Sequence, residues 1–271
     1  MRLLTPFSFQ VELRHLAFIS HQVPAERVRK GLPKQFELET FRSEDGKEYA
    51  LISVGCFRNH DFRWSLTQFP RLGFEQVTYR TYVRHRGRIG VYFFGTVLSK
   101  LLPFIMQRSL AKQAFSGMFR VSRRADSFGY KSYECDIKSD FSNLKFRLVA
   151  NGKDDSVEAL KPRSPFLNGI ELAQQTTYRL HGFFKSPLGF HVDQFVLHRP
   201  MRPWFGELVE GRFDLWENLG FLTREESQHP LLVTVEPEIT FNFFPPLPCS
   251  LLALKRLSLE HLLALSPKLA A

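Results

Sequence analysis

From Val77 to Arg84 the residues alternate strictly, with Val77, Tyr79, Thr81 and Val83 on one face and Thr78, Arg80, Tyr82 and Arg84 on the other. A period of two is the geometry of a β-strand. The turn His85-Arg86-Gly87-Arg88 reverses the chain, and Val91-Tyr92-Phe93-Phe94 returns with rings on both faces. Rings on both faces imply burial on two sides, or one face turned toward an internal cavity. The pair Thr78 to Arg84 and Gly90 to Thr96 therefore predicts a β-rich chain whose central hairpin lines a pocket.

Other segments read around that hairpin. Residues 11–22 alternate imperfectly and lead into a short helix that begins at Pro24, carries Val28 and Leu32, and is closed by Gly31 and Pro33. Phe36, Leu38 and Phe41, then Asp45-Gly46, then Tyr49 to Val54 read as strand, turn and strand. Ser99 to Phe115 has helical spacing at Leu101, Leu102, Ile105, Met106 and Leu110. The stretch Ile89 to Met106 is rejected as a membrane span because Lys100, Gly90, Gly95 and Pro103 interrupt it. A polar stretch follows, with loops at Asn151-Gly152-Lys153-Asp154-Asp155 and Lys161-Pro162-Arg163-Ser164-Pro165. Shorter strands are expected near Thr177–Phe183, Phe190–Leu197 and Leu231–Phe244, and Leu251 to Leu265 reads as an amphipathic helix.

The chain has 271 residues, within reach of one large β-rich domain, and its 28 Phe suit an aromatic interior. The formal charge of +10 is concentrated early: residues 1–135 hold 22 Lys+Arg against 11 Asp+Glu, the remainder 15 against 16. A basic half suggests polyanion binding, but the charges are scattered, without a like-charge run or a nucleic-acid module, so no nucleic-acid partner is expected. Cys56, Cys135 and Cys249 fit neither a disulfide framework nor a paired metal motif. No secretory signal is read at Met1 to Arg14, so a cytoplasmic location is expected.

Dinucleotide, nucleoside-triphosphate, zincin, hydrolase-elbow and calcium motifs are all missing. His191 and His198 are the most suggestive histidine pair, each read as structural before metal-binding; no metal or cofactor is expected. The positive signal is the stripe Thr78, Arg80, Tyr82. An arginine among rings needs an anion, either a protein carboxylate such as Glu75 or a ligand, unless it snorkels to solvent. Lys100 is a candidate Schiff-base nucleophile or a solvated helix residue.

Arg80-Thr81-Tyr82-Val83-Arg84 followed by Gly90-Val91-Tyr92-Phe93-Phe94 resembles the YqjF-like uncharacterised family, domain of unknown function 2071. Phe18 through Pro24, Leu32-Pro33, Phe41, Asp45-Gly46, Tyr178-Arg179-Leu180 and His198-Arg199-Pro200 agree in order, so the resemblance covers roughly residues 11 to 246. That family is similar to the acetoacetate decarboxylase superfamily. The resemblance implies a β-rich α+β fold, in which a curved, mostly antiparallel sheet closes into a barrel or cone with a few peripheral helices. It implies a domain over residues 1–246, with 247–271 as a C-terminal helical extension.

Two departures accompany it. The chain has no Lys-Lys pair, such as activates the decarboxylase lysine, and Lys100 stands alone. The family's Glu four residues before the strand arginine is Gln76 here, with Glu75 one place earlier. The leading expectation is a protein that binds an organic acid or carbonyl compound, with Arg80 as anion anchor and Thr78, Tyr82, Tyr92 and Phe94 as walls. A lyase acting through Lys100 with Glu75 as acid/base is the alternative. A third reading is an interaction protein, meeting an acidic partner or membrane surface through its basic half and C-terminal helix. A homo-oligomer is compatible with each.

Overall fold

The computed structural model describes residues 8–42, 46–69, 71–151 and 169–249. The chain begins with β1 (Phe9–Pro24), α1 (Ala25–Gly31), β2 (Glu37–Leu38), β3 (Thr40–Arg42), β4 (Glu48–Trp64), β5 (Leu72–His85) and β6 (Arg88–Leu98). It continues through α2 (Leu101–Leu110), β7 (Ala114–Ser116), β8 (Met118–Asp126), β9 (Gly129–Lys138), β10 (Leu144–Asn151), α3 (Gly169–Thr177), β11 (His181–Lys185) and β12 (His191–Leu197). β13 (Trp204–Phe213), α4 (Asp214–Asn218), β14 (Leu232–Phe243) and β15 (Leu247–Pro248) complete it.

One sheet carries all the described strands; its main path runs β15-β12-β11-β6-β5-β4-β1-β14-β13-β10-β9-β8, with β2 on β5, β3 on β4 and β7 on β6. A further pairing, Val196 with Phe243, joins β12 to β14. It closes β1, β4, β5, β6, β11, β12 and β14 into a ring, in which only the β6–β11 step is parallel. β13, β10, β9 and β8 leave the ring at β14 and fold back as a wing. The expected curved, mostly antiparallel sheet with few helices is thus present, and it closes.

The ring divides side chains by parity. Outward residues of β4 and β5, including Val54, Cys56, Val77 and Tyr79, form the main core with Tyr133, Phe146 and Leu148 of the wing. Trp216 of α4 is fully buried there, with Tyr79 and Phe94 edge-on at 5.4 and 5.6 Å. Inward residues of β1, including Leu13, Leu16 and Phe18, belong to a separate cluster with Phe57 and Ile239. The imperfect alternation of residues 11–22 has a cause: His15 is left-handed at φ 54°, and the β1–β4 register shifts between Arg14 and Ala17. That bulge resets the phase, so Leu13 and Leu16 both point inward.

The β5–β6 turn puts Arg86 and Gly87 at φ 51° and 78°, between the paired His85 and Arg88. This is the two-residue hairpin connection whose twist matches the strands. The α1 helix spans Ala25–Gly31 as its signals predict. Thr40 to Arg42 pairs with Glu48 to Ala50, and residues 43–45 of the expected turn lie outside the described residues.

Several expectations shift. α2 ends at Leu110, and Ala114 to Ser116 instead runs parallel to β6. Its Leu101, Leu102 and Ile105 are exposed rather than packed. The strand expected from Thr177 begins at His181, after α3. The wing strands β8 to β10 occupy what reads as a polar stretch. Leu247–Pro248 pairs with β12, so sheet continues past residue 246. The C-terminal helix expected at 251–265 and the loop at 161–165 lie outside the described residues. No helix among the described residues is long and apolar enough to cross a membrane.

Burial also sets a pH limit on the fold. His21 is 1% exposed, with Nε2 3.0 Å from the Ser227 carbonyl, and burial pulls its pKa down to about 4. An unfolded histidine titrates near 6.5, so the unfolded chain binds more protons between those values. Stability is therefore complete above pH 6.5 and falls as pH drops toward 4, by roughly 3 kcal/mol for this group. Urea unfolding at pH 7 and pH 4 is expected to show that loss, and His21→Gln to reduce the pH dependence by about that amount, His15 keeping its own share because burial also pulls its pKa down to about 4. Equal pH dependence in the two proteins would remove His21 as the cause.

Candidate functional site

The inner face of the ring encloses a cavity of about 180 Å3. Its β5 wall is Phe74, Gln76, Thr78 and Arg80, which shares Thr78 and Arg80 with the face predicted from the sequence and extends it toward the start of the strand. Rings and aliphatic chains from β1, β4, β6, β11 and β14 line much of the remainder, together with residues of α2, β12 and the segment after β14. Leu110 and Pro245 line it and are exposed, so the cavity reaches solvent beside them. Among the described lining residues there is no Asp, Glu or Lys.

Arg80 is 8% exposed. Its guanidinium carbon stands 4.1 Å above the Phe18 ring and 5.7 Å from the Tyr82 ring. Such cation–π contacts partly replace hydration. Gly55 makes this possible: a Cβ there would meet the Phe18 ring at 2.8 Å. Nη2 donates to the Thr176 carbonyl at 2.9 Å, in the last turn of α3, where the helix dipole favours a cation. Nε has no partner, and no carboxylate pairs with Arg80 among the described residues. Burial pulls its pKa down, with Tyr82 opposing and Arg179 adding to the fall.

The neighbouring polar groups are satisfied. Arg179 also lines the cavity but forms an ion pair with Glu39 at 2.8 Å. His181 Nδ1 is 2.9 Å from Asp193, which also holds Arg88 at 2.9 Å. His198 stacks on Phe241 at 4.2 Å, and its Nδ1 is 2.8 Å from the Arg199 carbonyl. Burial, with Arg80 and Arg199 nearby, lowers its pKa against the opposing backbone hydrogen bonds. Gln76 accepts from Asn59 at 3.0 Å.

Of the residues singled out from sequence, Arg80 and Thr78 line the cavity. Tyr82 shares their face but lies beyond the lining: it packs with Leu51, Val91, Leu172 and Leu232, and its hydroxyl is 2.7 Å from Ser53. It makes a floor rather than a wall. Tyr92 and Phe94 are corrections. Arg80 pairs with Phe93, so Tyr92 falls beside Thr81, and the bulge after Phe93 keeps Phe94 outward against Trp216. The inward ring is Phe93.

Glu75 also faces outward, paired with Arg123 at 2.6 Å and Arg58 at 3.1 Å. Parity prevents it from replacing the Glu whose place Gln76 holds inside the cavity. Lys100 caps the start of α2 and is exposed, away from the cavity lining. Lys100 and Glu75 therefore do not form an internal acid/base pair. His191 packs against Phe36 and Tyr92, apart from His198, and no group of three metal-ligating side chains occurs among the described residues.

Phe18, Phe57, Phe93, Arg179 and the Thr176 carbonyl are site components that residue patterns did not single out. Phe93 required the β5–β6 register. Arg179 lies in a segment that carries the family resemblance, its only sequence signal, whereas His198 was also marked by its pairing with His191.

A closed, mostly antiparallel ring with a lateral wing and an internal cavity defines an acetoacetate decarboxylase-like fold. The chain superposes on the enduracididine biosynthesis enzyme MppR, solved with pyruvate, at a TM-score of 0.56 and 13% identity, covering 91% of this chain and 92% of that one. An acetoacetate decarboxylase-like enzyme from Sphingomonas wittichii RW1 gives 0.54 and 14%, covering 90% and 92%. Acetoacetate decarboxylase from Legionella pneumophila gives 0.52 and 12%, covering 90% and 89%. No curated protein matches the chain by sequence. Residues 10–238 match domain of unknown function 2071, an uncharacterized conserved protein, and the chain belongs to that family.

A buried guanidinium without a counter-charge burdens the empty fold. Arg80→Met is expected to leave the unfolding free energy of ligand-free protein unchanged, or to raise it by up to about 2 kcal/mol. Denaturant titration checks this; a loss of more than about 2 kcal/mol would assign Arg80 a structural role.

Proposed function

We propose that this protein binds an organic acid in its ring cavity, with Arg80 holding the carboxylate. One observation carries the reading: a buried arginine with an unpartnered Nε faces a cavity that no described acidic side chain lines. Desolvation makes a charged hydrogen bond strong there and leaves the empty site electrostatically incomplete. Thr78 stands two residues away on the same wall, and Phe18 and Phe93 flank the guanidinium's level. MppR was solved with pyruvate, which is consistent with an anion of this kind in the same fold.

The lyase alternative has weaker support. A Schiff base needs an amine inside the cavity that can shed its proton, and no described lysine lines it. The reading as a partner for acidic surfaces is also weaker, because Arg27, Arg29, Arg58 and Arg123 of the basic half are held in ion pairs. A cytoplasmic setting belongs to the proposal. Cys56 and Cys135 remain free thiols although their sulfurs are 3.5 Å apart, which suits a reducing compartment.

Calorimetry and borohydride trapping test the two readings together. Pyruvate or acetoacetate is expected to bind, Arg80→Gln to weaken binding at least about tenfold, and borohydride to leave no adduct on Lys100. A trapped adduct at Lys100 that disappears in Lys100→Ala would replace the binding protein with a lyase. Undiminished affinity in Arg80→Gln would remove the anchor.

A further inference from the structure

We infer that the cavity selects monocarboxylates carrying an apolar tail of about eight carbons, alkyl or aryl, over short keto acids and over dicarboxylates. The inference rests on the anchor just proposed and concerns what lies beyond it. From Phe74 to Arg80 the cavity follows β5 for six residue steps, about 20 Å of strand. Tyr82, immediately past Arg80, is buried with Leu172 and Leu232 and closes that end, so the guanidinium stands at one extreme of the space. A carboxylate placed there directs the rest of its molecule toward Phe57, Leu16, Leu13, Phe9 and Phe74.

Size supports a tail. On the scale where one water needs about 10–15 Å3, a cavity of about 180 Å3 accommodates roughly a dozen non-hydrogen atoms. Pyruvate has half that number, and it would leave apolar wall facing water. Each methylene buried along such a wall strengthens binding about fourfold.

Charge supports a single carboxylate. Arg179 is neutralised by Glu39 and His181 is held by Asp193, so Arg80 is the one lining cation without an acidic partner among the described residues. The second carboxylate of a diacid would lie against Phe and Leu side chains with no cation to receive it. The polar groups along the way, the Asn59–Gln76 pair and Thr96, are uncharged and suit a carbonyl or hydroxyl on the chain.

Calorimetry on the full chain with acetate, butyrate, hexanoate, octanoate and decanoate tests this, with pyruvate, octan-1-ol and suberate as comparisons. Affinity is expected to rise about fourfold per methylene as far as octanoate or decanoate and then to level. Octanol and suberate are expected to bind at least tenfold more weakly than octanoate, and Arg80→Met to abolish the preference for octanoate over octanol. Pyruvate binding as tightly as octanoate, with no rise along the series, would overturn the tail while leaving the anchor intact. Octanol matching octanoate would overturn the anchor itself. Suberate matching octanoate would overturn the single-charge argument.

Discussion

A strand buried on both faces must sort its side chains by parity, and the architecture depends on β5 doing so. Its outward set, Val77, Tyr79, Thr81 and Val83, is at most marginally exposed, because α4 and the wing cover the ring on that side. Of its inward set, Thr78 and Arg80 are buried and Gln76 half-buried, without being packed solid, because the ring closes around a cavity. A one-residue slip would put Arg80 against Trp216 and Tyr79 into the cavity, so register is strongly specified. The hairpin turn at Arg86-Gly87 holds that register on one side, and the pairing of Gly55 with both Phe18 and Thr78 holds it on the other.

Given that register, Arg80 is a buried arginine with no carboxylate partner among the described residues. Cation–π contacts with Phe18 and Tyr82 and one hydrogen bond to a helix C-terminal carbonyl offset part of its desolvation, yet Nε still has no partner. Elsewhere the same ring supplies partners freely: Glu75 receives both Arg58 and Arg123 on the outer face, and Asp193 receives Arg88 and His181. On the cavity side too Arg179 and His181 have acidic partners, which leaves Arg80 as the lining arginine without one among the described residues.

Much of this was legible in the residues. Alternation alone separates Arg80 from Tyr79, the His85–Arg88 turn follows from its composition, and Pro24 with Gly31 bounds α1. Parity across strands was not legible, because β6 has rings on both faces and only the pairing of Arg80 with Phe93 shows which face is shared. The bulges at His15 and after Phe93 shift phase through backbone geometry, and nothing in side-chain type announces them. The wing carried a signal that polar composition obscured: Tyr133, Cys135 and Ile137, then Leu144, Phe146 and Leu148, alternate cleanly. For α2 the apolar spacing was genuine, but a helix across the cavity with Leu101 and Ile105 exposed follows no packing rule read from one sequence.

The same parity argument bears on chemistry. Carbonyl condensation requires an amine inside the cavity, and Lys100 at the start of α2 is exposed and away from the lining. A guanidinium stays protonated in proteins and cannot act as that nucleophile, however deeply it is buried. Glu75, which could move protons, is fixed outside the ring by two arginines, while the inward position next to it is the amide Gln76. Burial disfavours the protonated form of His198, another of the lining groups. What the inner face retains is two guanidinium groups among largely apolar walls, Arg179 neutralised by Glu39 and Arg80 with no carboxylate among the described residues.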